Sequence, residues 1–283
     1  MKRKILVPVD FSPASRSAYL YAREMAKIFN CLVEVVHAYR VPYAGETVAA
    51  LVAEAGEVSI RKDRLKKFIN NYHEEGEGRT LTKVEVRIDI REGDSVPVIL
   101  QKSKDEEVFL TIMGTAGKHL MGEYILGSVA SAVAQRAKSP VLLIPENVSY
   151  RSFHSILYAS NFESAQPKML NEITNFANLF RAAIHFVHVQ KPDKADVFSA
   201  TQNAIFEQLF DDREPGFAFH METVASKSVV KGLNEYAEKK DIDLIVLVNR
   251  QNGFLDSITE DSTTKKMALD IKYPLMVYRY SED

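Results

Sequence analysis

At 283 residues the chain is about twice the ~150 residues of an ordinary domain, so two domains are expected. Apolar residues at 46% and charged residues at 26% exclude a disordered, collagenous or coiled-coil chain. Thirty-six basic against 38 acidic side chains leave a net charge of −2, too weak a field to imply a nucleic-acid or membrane partner, and the lone Cys31 excludes an intrachain disulfide or a multi-cysteine zinc site.

In chain order, Met1 to Lys4 are basic, but the apolar run behind them ends at Asp10, too short for a secretory leader. No 18-residue apolar stretch follows, and a cytoplasmic location is expected. Residues 4–9 read as a first strand. Ser12-Pro13 is an N-cap followed by proline at the first helical position, and Ala18, Ala22, Met25, Ala26 and Phe29 form the core-facing stripe of the helix. Strands are expected at 32–38, 82–89, 108–113 and 141–145, with helices at 46–72, 94–103 and 128–138. Most of the strand runs are continuously apolar, as in a parallel sheet covered on both faces; 82–89 alternates, as at an edge.

The pattern then repeats. Ile5-Leu-Val-Pro-Val-Asp-Phe-Ser12 falls on Ile156-Leu-Tyr-Ala-Ser-Asn-Phe-Glu163 at an offset of 151, which also places Phe29 on Phe180 and His37 on His188. Strands of the second copy are expected at 154–159, 184–189, 217–224, 243–248 and 275–279. A repeat this long means duplicated domains, 1–146 and 152–283, each an α/β unit with right-handed crossovers.

Chemistry is expected beyond the carboxyl ends of the strands, where strand order reverses. There the run 108–113 leads into Gly114-Thr-Ala-Gly117, nine further residues and Gly127-Ser128, which opens a helix. Gly114 leaves room for a ligand beside the strand end, and Gly117 permits a positive φ that exposes backbone N–H groups. Gly127 and Ser128 put donors at a helix N-terminus, where an anion is stabilised. Lys118 and His119 within the loop either neutralise phosphate charge or are simply exposed.

This Gly-x2-Gly-x9-Gly-Ser spacing, with Ile5–Ser12, Val35-Val-His-Ala38 and Ser139–Pro145, resembles the nucleotide-binding universal stress protein family. The likeness covers 1–146 and, more weakly, 152–283. It implies two tandem doubly wound, Rossmann-like five-stranded parallel sheets of strand order 3-2-1-4-5, akin to adenine nucleotide alpha hydrolases. It further implies that the two domains pair through their last strands as an intramolecular pseudo-dimer, with a homodimer and an unidentified protein partner as further options. The ligand implied is ATP, alone or with Mg, an adenine nucleotide held between the first and fourth strands. Asp10 and Ala38 would lie against adenine with Met113 nearby, Gly114, Gly117, Gly127, Ser128 and Val129 would hold ribose and phosphates, and Pro8 would be a further nucleotide-binding residue. No catalytic residue and no metal ligand is assigned. The expected role is ATP binding in a stress response without efficient catalysis; the alternatives are a slow ATPase or self-phosphorylating protein, and a pure interaction module.

The second copy departs from the motif: Asn161 replaces the aspartate, and Asn249, Asn252 and Ser262 stand for the three glycines. One nucleotide per chain is therefore expected. Other signals are set aside. Gly76-Glu-Gly78 lacks a third glycine and precedes a strand, and no Gly-x4-Gly-Lys-Ser/Thr occurs. His73-Glu74 lacks the second histidine of a zinc-protease motif, and Gly93-Asp-Ser95-Val-Pro97 fails as a nucleophile elbow. His185 and His188 point to opposite faces of one strand, and the charged run Arg61–Lys67 reads as a solvated helix face.

Overall fold

The computed structural model describes residues 2–40, 48–71, 84–115, 127–146, 148–159, 167–190, 218–249 and 272–279. These fall into two compact units that meet in sequence at Tyr150 and Arg151.

In the first unit, β1 (Lys4–Pro8), α1 (Pro13–Phe29), β2 (Leu32–Tyr39), α2 (Val48–Asn71), β3 (Val86–Glu92), α3 (Ser95–Lys102), β4 (Val108–Gly114), α4 (Ser128–Arg136) and β5 (Val141–Ile144) follow in order. The strands are parallel and lie in the order β3-β2-β1-β4-β5. Strand order thus reverses between β1 and β4. Ile5, Leu6 and Val7 of β1 are wholly buried, as a central strand covered on both faces requires.

Local chemistry explains the element ends. The Ser12 hydroxyl caps α1 by accepting from the Ser15 N–H at 3.1 Å, with proline at the first helical position. Asn30 ends the helix in the left-handed conformation (φ 47°), which asparagine tolerates. Ala18, Ala22, Met25 and Ala26 are buried as the stripe predicts, while Phe29 is half-buried and meets the Phe109 ring edge to face at 5.2 Å.

Two expectations need correction. The edge strand runs over 86–92, not 82–89, because it pairs with β2 from Val33↔Val86 to Tyr39↔Glu92. In addition, Arg61 and Arg64 are not merely solvated: their guanidiniums lie over the rings of Tyr39 (5.0 Å) and Phe11 (4.2 Å).

The second unit contains β6 (Ser155–Ala159), α5 (Pro167–Phe180), β7 (Ala183–Gln190), β8 (Phe219–Ala225), α6 (Val229–Lys239), β9 (Leu244–Asn249) and β10 (Leu275–Arg279). Its parallel order, β8-β7-β6-β9-β10, repeats that of the first. Asp243 is buried just before β9, where its Oδ2 accepts from the His154 and Ser155 N–H groups at 2.6 and 3.0 Å and Arg151 pairs with its Oδ1 at 2.7 Å. No helix among the described residues is long and apolar enough to cross a membrane.

Candidate functional site

A cavity of about 440 Å³ opens at the carboxyl ends of β1, β2 and β4 in the first unit, at the reversal of strand order. That volume lies within the range of small-molecule sites, roughly 300–1,000 Å³. Pro8, Asp10, Ala38, Met113, Gly114, Gly127, Ser128 and Val129 all line it. Eight of the nine residues singled out in the sequence are thus brought together. Gly117, Lys118 and His119 lie outside the described residues, as do Asn161, Asn252 and Ser262 of the second unit.

The wall from β1 is fixed by its neighbours. Beyond the last residue of the strand, the Val9 N–H donates to the Val36 carbonyl at 2.9 Å, and His37 Nδ1 lies 2.7 Å from the Val9 carbonyl. Asp10 Oδ1 then accepts from the Ser12 N–H at 3.0 Å. Burial alone would raise the Asp10 carboxyl, but its bonds from the Ser12 hydroxyl and N–H and from Ser15 outweigh it and hold the pKa below the usual value. Asp10 therefore carries charge at neutral pH.

The N-terminus of α4 also lines the cavity. Gly127 occupies the cap position with φ −58° and ψ 152° and supplies no side-chain acceptor. The first-turn N–H groups of α4 accordingly lack the side-chain cap that Ser12 gives α1 and Ser228 gives α6, and this end of the helix borders the cavity. An uncapped helix N-terminus carries partial positive charge and presents donors suited to an anion.

Gly114 has a different reason from the one its position suggests. A Cβ built there would stand 2.3 Å from the carbonyl carbon and oxygen of Ala14, so the glycine lets α1 pack on β4. Ser12, Ser95, Ile99, Thr115 and Glu146 also line the cavity and were not expected as binding residues from the sequence. The signal for Ser95 was topological: in a parallel sheet every strand-to-helix connection emerges at the same end, so the start of α3 after β3 shares the mouth with the starts of α1 and α4. Glu146 follows β5 at that same end.

In the second unit, His185 is buried, its Nδ1 3.0 Å from the Tyr236 hydroxyl and its ring 4.6 Å from that of His220. Packing and a hydrogen bond account for it. Among the described residues no group of three or more His, Cys, Asp and Glu side chains is arranged to hold a metal ion.

Against this background the family model for the universal stress protein family matches residues 1–145 and again 152–279. The chain belongs to the universal stress protein family. Universal stress protein MJ0531 of Methanocaldococcus jannaschii is 28% identical over 150 residues, 50% of this chain and 81% of the relative. A universal stress protein of Thermus aquaticus is 33% identical over 148 residues, 51% of this chain and 99% of the relative. Among solved structures, a universal stress protein from Archaeoglobus fulgidus covers 99% of this chain and 100% of its own at a TM-score of 0.73. Its 17% identity makes that a likeness of fold.

Proposed function

We propose that this universal stress protein binds ATP in the cavity of its first unit and acts as a nucleotide-dependent regulator in a stress response, without efficient turnover. The observation that carries the reading is the convergence of Asp10, Ala38, Met113, Gly114, Gly127, Ser128 and Val129 on one cavity at the strand-order reversal.

The chemistry of the walls fits an adenine nucleotide in one orientation. The uncapped N–H groups of α4 suit phosphate oxygens. The carboxylates of Asp10 and Glu146 would repel phosphate and so belong with the base and ribose, where hydroxyl and amino groups donate. Backbone groups at the ends of β1 and β2, beside Asp10 and Ala38, supply the remaining polar contacts, with buried Met113 as an apolar surface for the base. Gly117, in the same glycine pattern, completes the proposed phosphate loop. ATP, with or without Mg, supplies the occupancy that such a protein reports.

A second reading, slow self-phosphorylation, has one observation in its favour: Ser128, which carries a hydroxyl, is exposed and lines the cavity at the first position of α4. Incubation with ATP labelled on the γ-phosphate separates the readings. Label recovered as intact ATP bound to the chain supports the regulator, and label covalently attached to protein supports the second reading. Free phosphate released over many turnovers, or no retained label, overturns the proposal.

A further inference from the structure

The turn between β1 and α1 is clamped from outside the cavity. Phe11, between the cavity residues Asp10 and Ser12, has φ 66°. A bulky aromatic residue in the left-handed region is an outlier that persists only where its surroundings hold it. Here the surroundings are explicit. The Phe11 ring lies 4.7 Å from the His37 ring and 5.8 Å from Phe68, and the Arg64 guanidinium stands 4.2 Å above it.

His37 has a second contact with the same turn, its Nδ1 lying 2.7 Å from the Val9 carbonyl. A carbonyl only accepts, so Nδ1 carries the proton. Nε2 is buried and has no hydrogen-bond partner among the described residues, and burial, with Arg61 and Arg64, outweighs the bond to Val9 and holds the imidazole pKa below the usual value. One side chain of β2 therefore holds the backbone immediately before Asp10 and the ring immediately after it.

We propose that His37 is a positioning residue for the cavity: its Nδ1–H bond to Val9 and its support of the Phe11 ring hold the Asp10–Phe11–Ser12 turn in the shape that presents Asp10 to the nucleotide. This rests on the nucleotide reading above for its ligand, but not for the turn. The repeat supplies an independent observation. At the offset of 151, Phe162 and His188 retain the Phe–His pair, although Asn161 has replaced the aspartate between the strand and that phenylalanine. A pair kept in sequence where the nucleotide motif is lost argues that its first-unit counterpart, Phe11 and His37, serves the turn and not the ligand.

The test uses the full chain and three readouts. Nitrogen-15 NMR of the wild type should show His37 as the neutral Nδ1–H tautomer; the Nε2–H form would overturn the assignment. In His37→Asn, whose side-chain amide can place a donor near Nδ1 but cannot support the Phe11 ring, the Ser12 amide signal and the Kd for ATP should lie between wild type and His37→Leu. In His37→Leu, which keeps bulk but cannot donate, the Ser12 amide should shift and the Kd should rise roughly tenfold. Unchanged Ser12 signal and Kd in His37→Leu would overturn the positioning role. If that variant fails to fold, the tautomer and His37→Asn decide: a Ser12 signal and Kd identical to wild type in the asparagine variant, like the Nε2–H tautomer, also overturn it. If the wild type binds no ATP, the nucleotide reading falls, while the tautomer and the Ser12 amide still test the clamp.

Discussion

Gly114 at the end of β4 and Ala14 in the first turn of α1 touch backbone to backbone: a Cβ on Gly114 would lie 2.3 Å from the Ala14 carbonyl. The first glycine of the motif therefore sets how closely α1 approaches β4, and through α1 the position of the Ser12 cap and of Asp10. Gly114→Ala cannot be absorbed by a flexible side chain, since the obstacle is main chain. It should destabilise the first unit by about 3 kcal/mol, at the upper end of overpacking costs, and weaken ATP binding with it. Urea unfolding checks this, and an unchanged midpoint would show that α1 shifts freely.

Lys4 carries a second long-range constraint. It is buried at the start of β1, with Nζ 2.7 Å from Asp105, 3.1 Å from Glu107 and 3.2 Å from the buried Glu34. Burial alone would lower its pKa, but the bonds to Asp105, Glu107 and Glu34 outweigh it and hold it above the usual value. Lys102 shares Glu34 at 2.5 Å and bridges to Asp89 at 2.7 Å. Removing one partner of a buried pair costs about 3–5 kcal/mol, and the surviving Lys102 contact should bring Lys4→Met to the lower end. Lys4→Met combined with Glu34→Leu should lose less than the two single changes summed. A strictly additive double-mutant cycle would show the pair to be uncoupled.

These two cases mark what was legible in the sequence. Two tandem βα units, the Ser12-Pro13 cap and the glycine spacing all rest on neighbours within one element or loop, and such patterns survive in one dimension. The reason for Gly114 lies with Ala14, a hundred residues away, and the anchoring of Lys4 lies with Glu34, Asp105 and Glu107. Read locally, Lys4 was only one of a run of basic residues at the N-terminus. The bounds of β3 were similarly hidden, because Val84 to Ile90 alternate evenly, and the strand's end is set by pairing with β2 and by the Gly93 N–H donating to the Tyr39 carbonyl at 2.8 Å. Ser95 and Glu146 joined the cavity through topology and carry no spacing that marks them.

The second unit should show a distinct acid sensitivity. Burial first, then His220 and Lys240, push the pKa of His185 down to about 4, with Glu222 acting weakly the other way. The native state thus binds fewer protons than the unfolded chain between pH 4 and the ordinary histidine value near 6.5. Stability from this group is fully present above about pH 6.5 and falls as pH drops toward 4. The loss should be on the order of 2–3 kcal/mol. His185→Gln removes the titration and retains a partner for the Tyr236 hydroxyl, so its stability should fall less over that interval. Parallel pH profiles for the two proteins would rule His185 out as the cause.

The N-terminus of α4 gives the sharpest separation of binding from folding. Gly127 already has extended cap geometry, with φ −58° and ψ 152°, which any residue can adopt. An aspartate there can accept from the first-turn N–H groups much as Ser12 accepts from Ser15 in α1. Gly127→Asp should therefore leave stability unchanged or raise it by a few tenths of a kcal/mol. The same carboxylate would occupy the donors proposed for phosphate and set a like charge beside it. Losing even one charge-assisted hydrogen bond costs about 1.5–3 kcal/mol, and about 1.4 kcal/mol is tenfold in affinity. ATP binding should consequently fall below detection while the unfolding midpoint holds. In the second half, where Asn249, Asn252 and Ser262 stand for the motif glycines, Ser262→Asp should leave calorimetry at the one ATP per chain proposed for the wild type. Two equivalent sites in the wild type, or undiminished affinity in Gly127→Asp, would place the nucleotide somewhere other than the mouth formed by β1, β4 and α4.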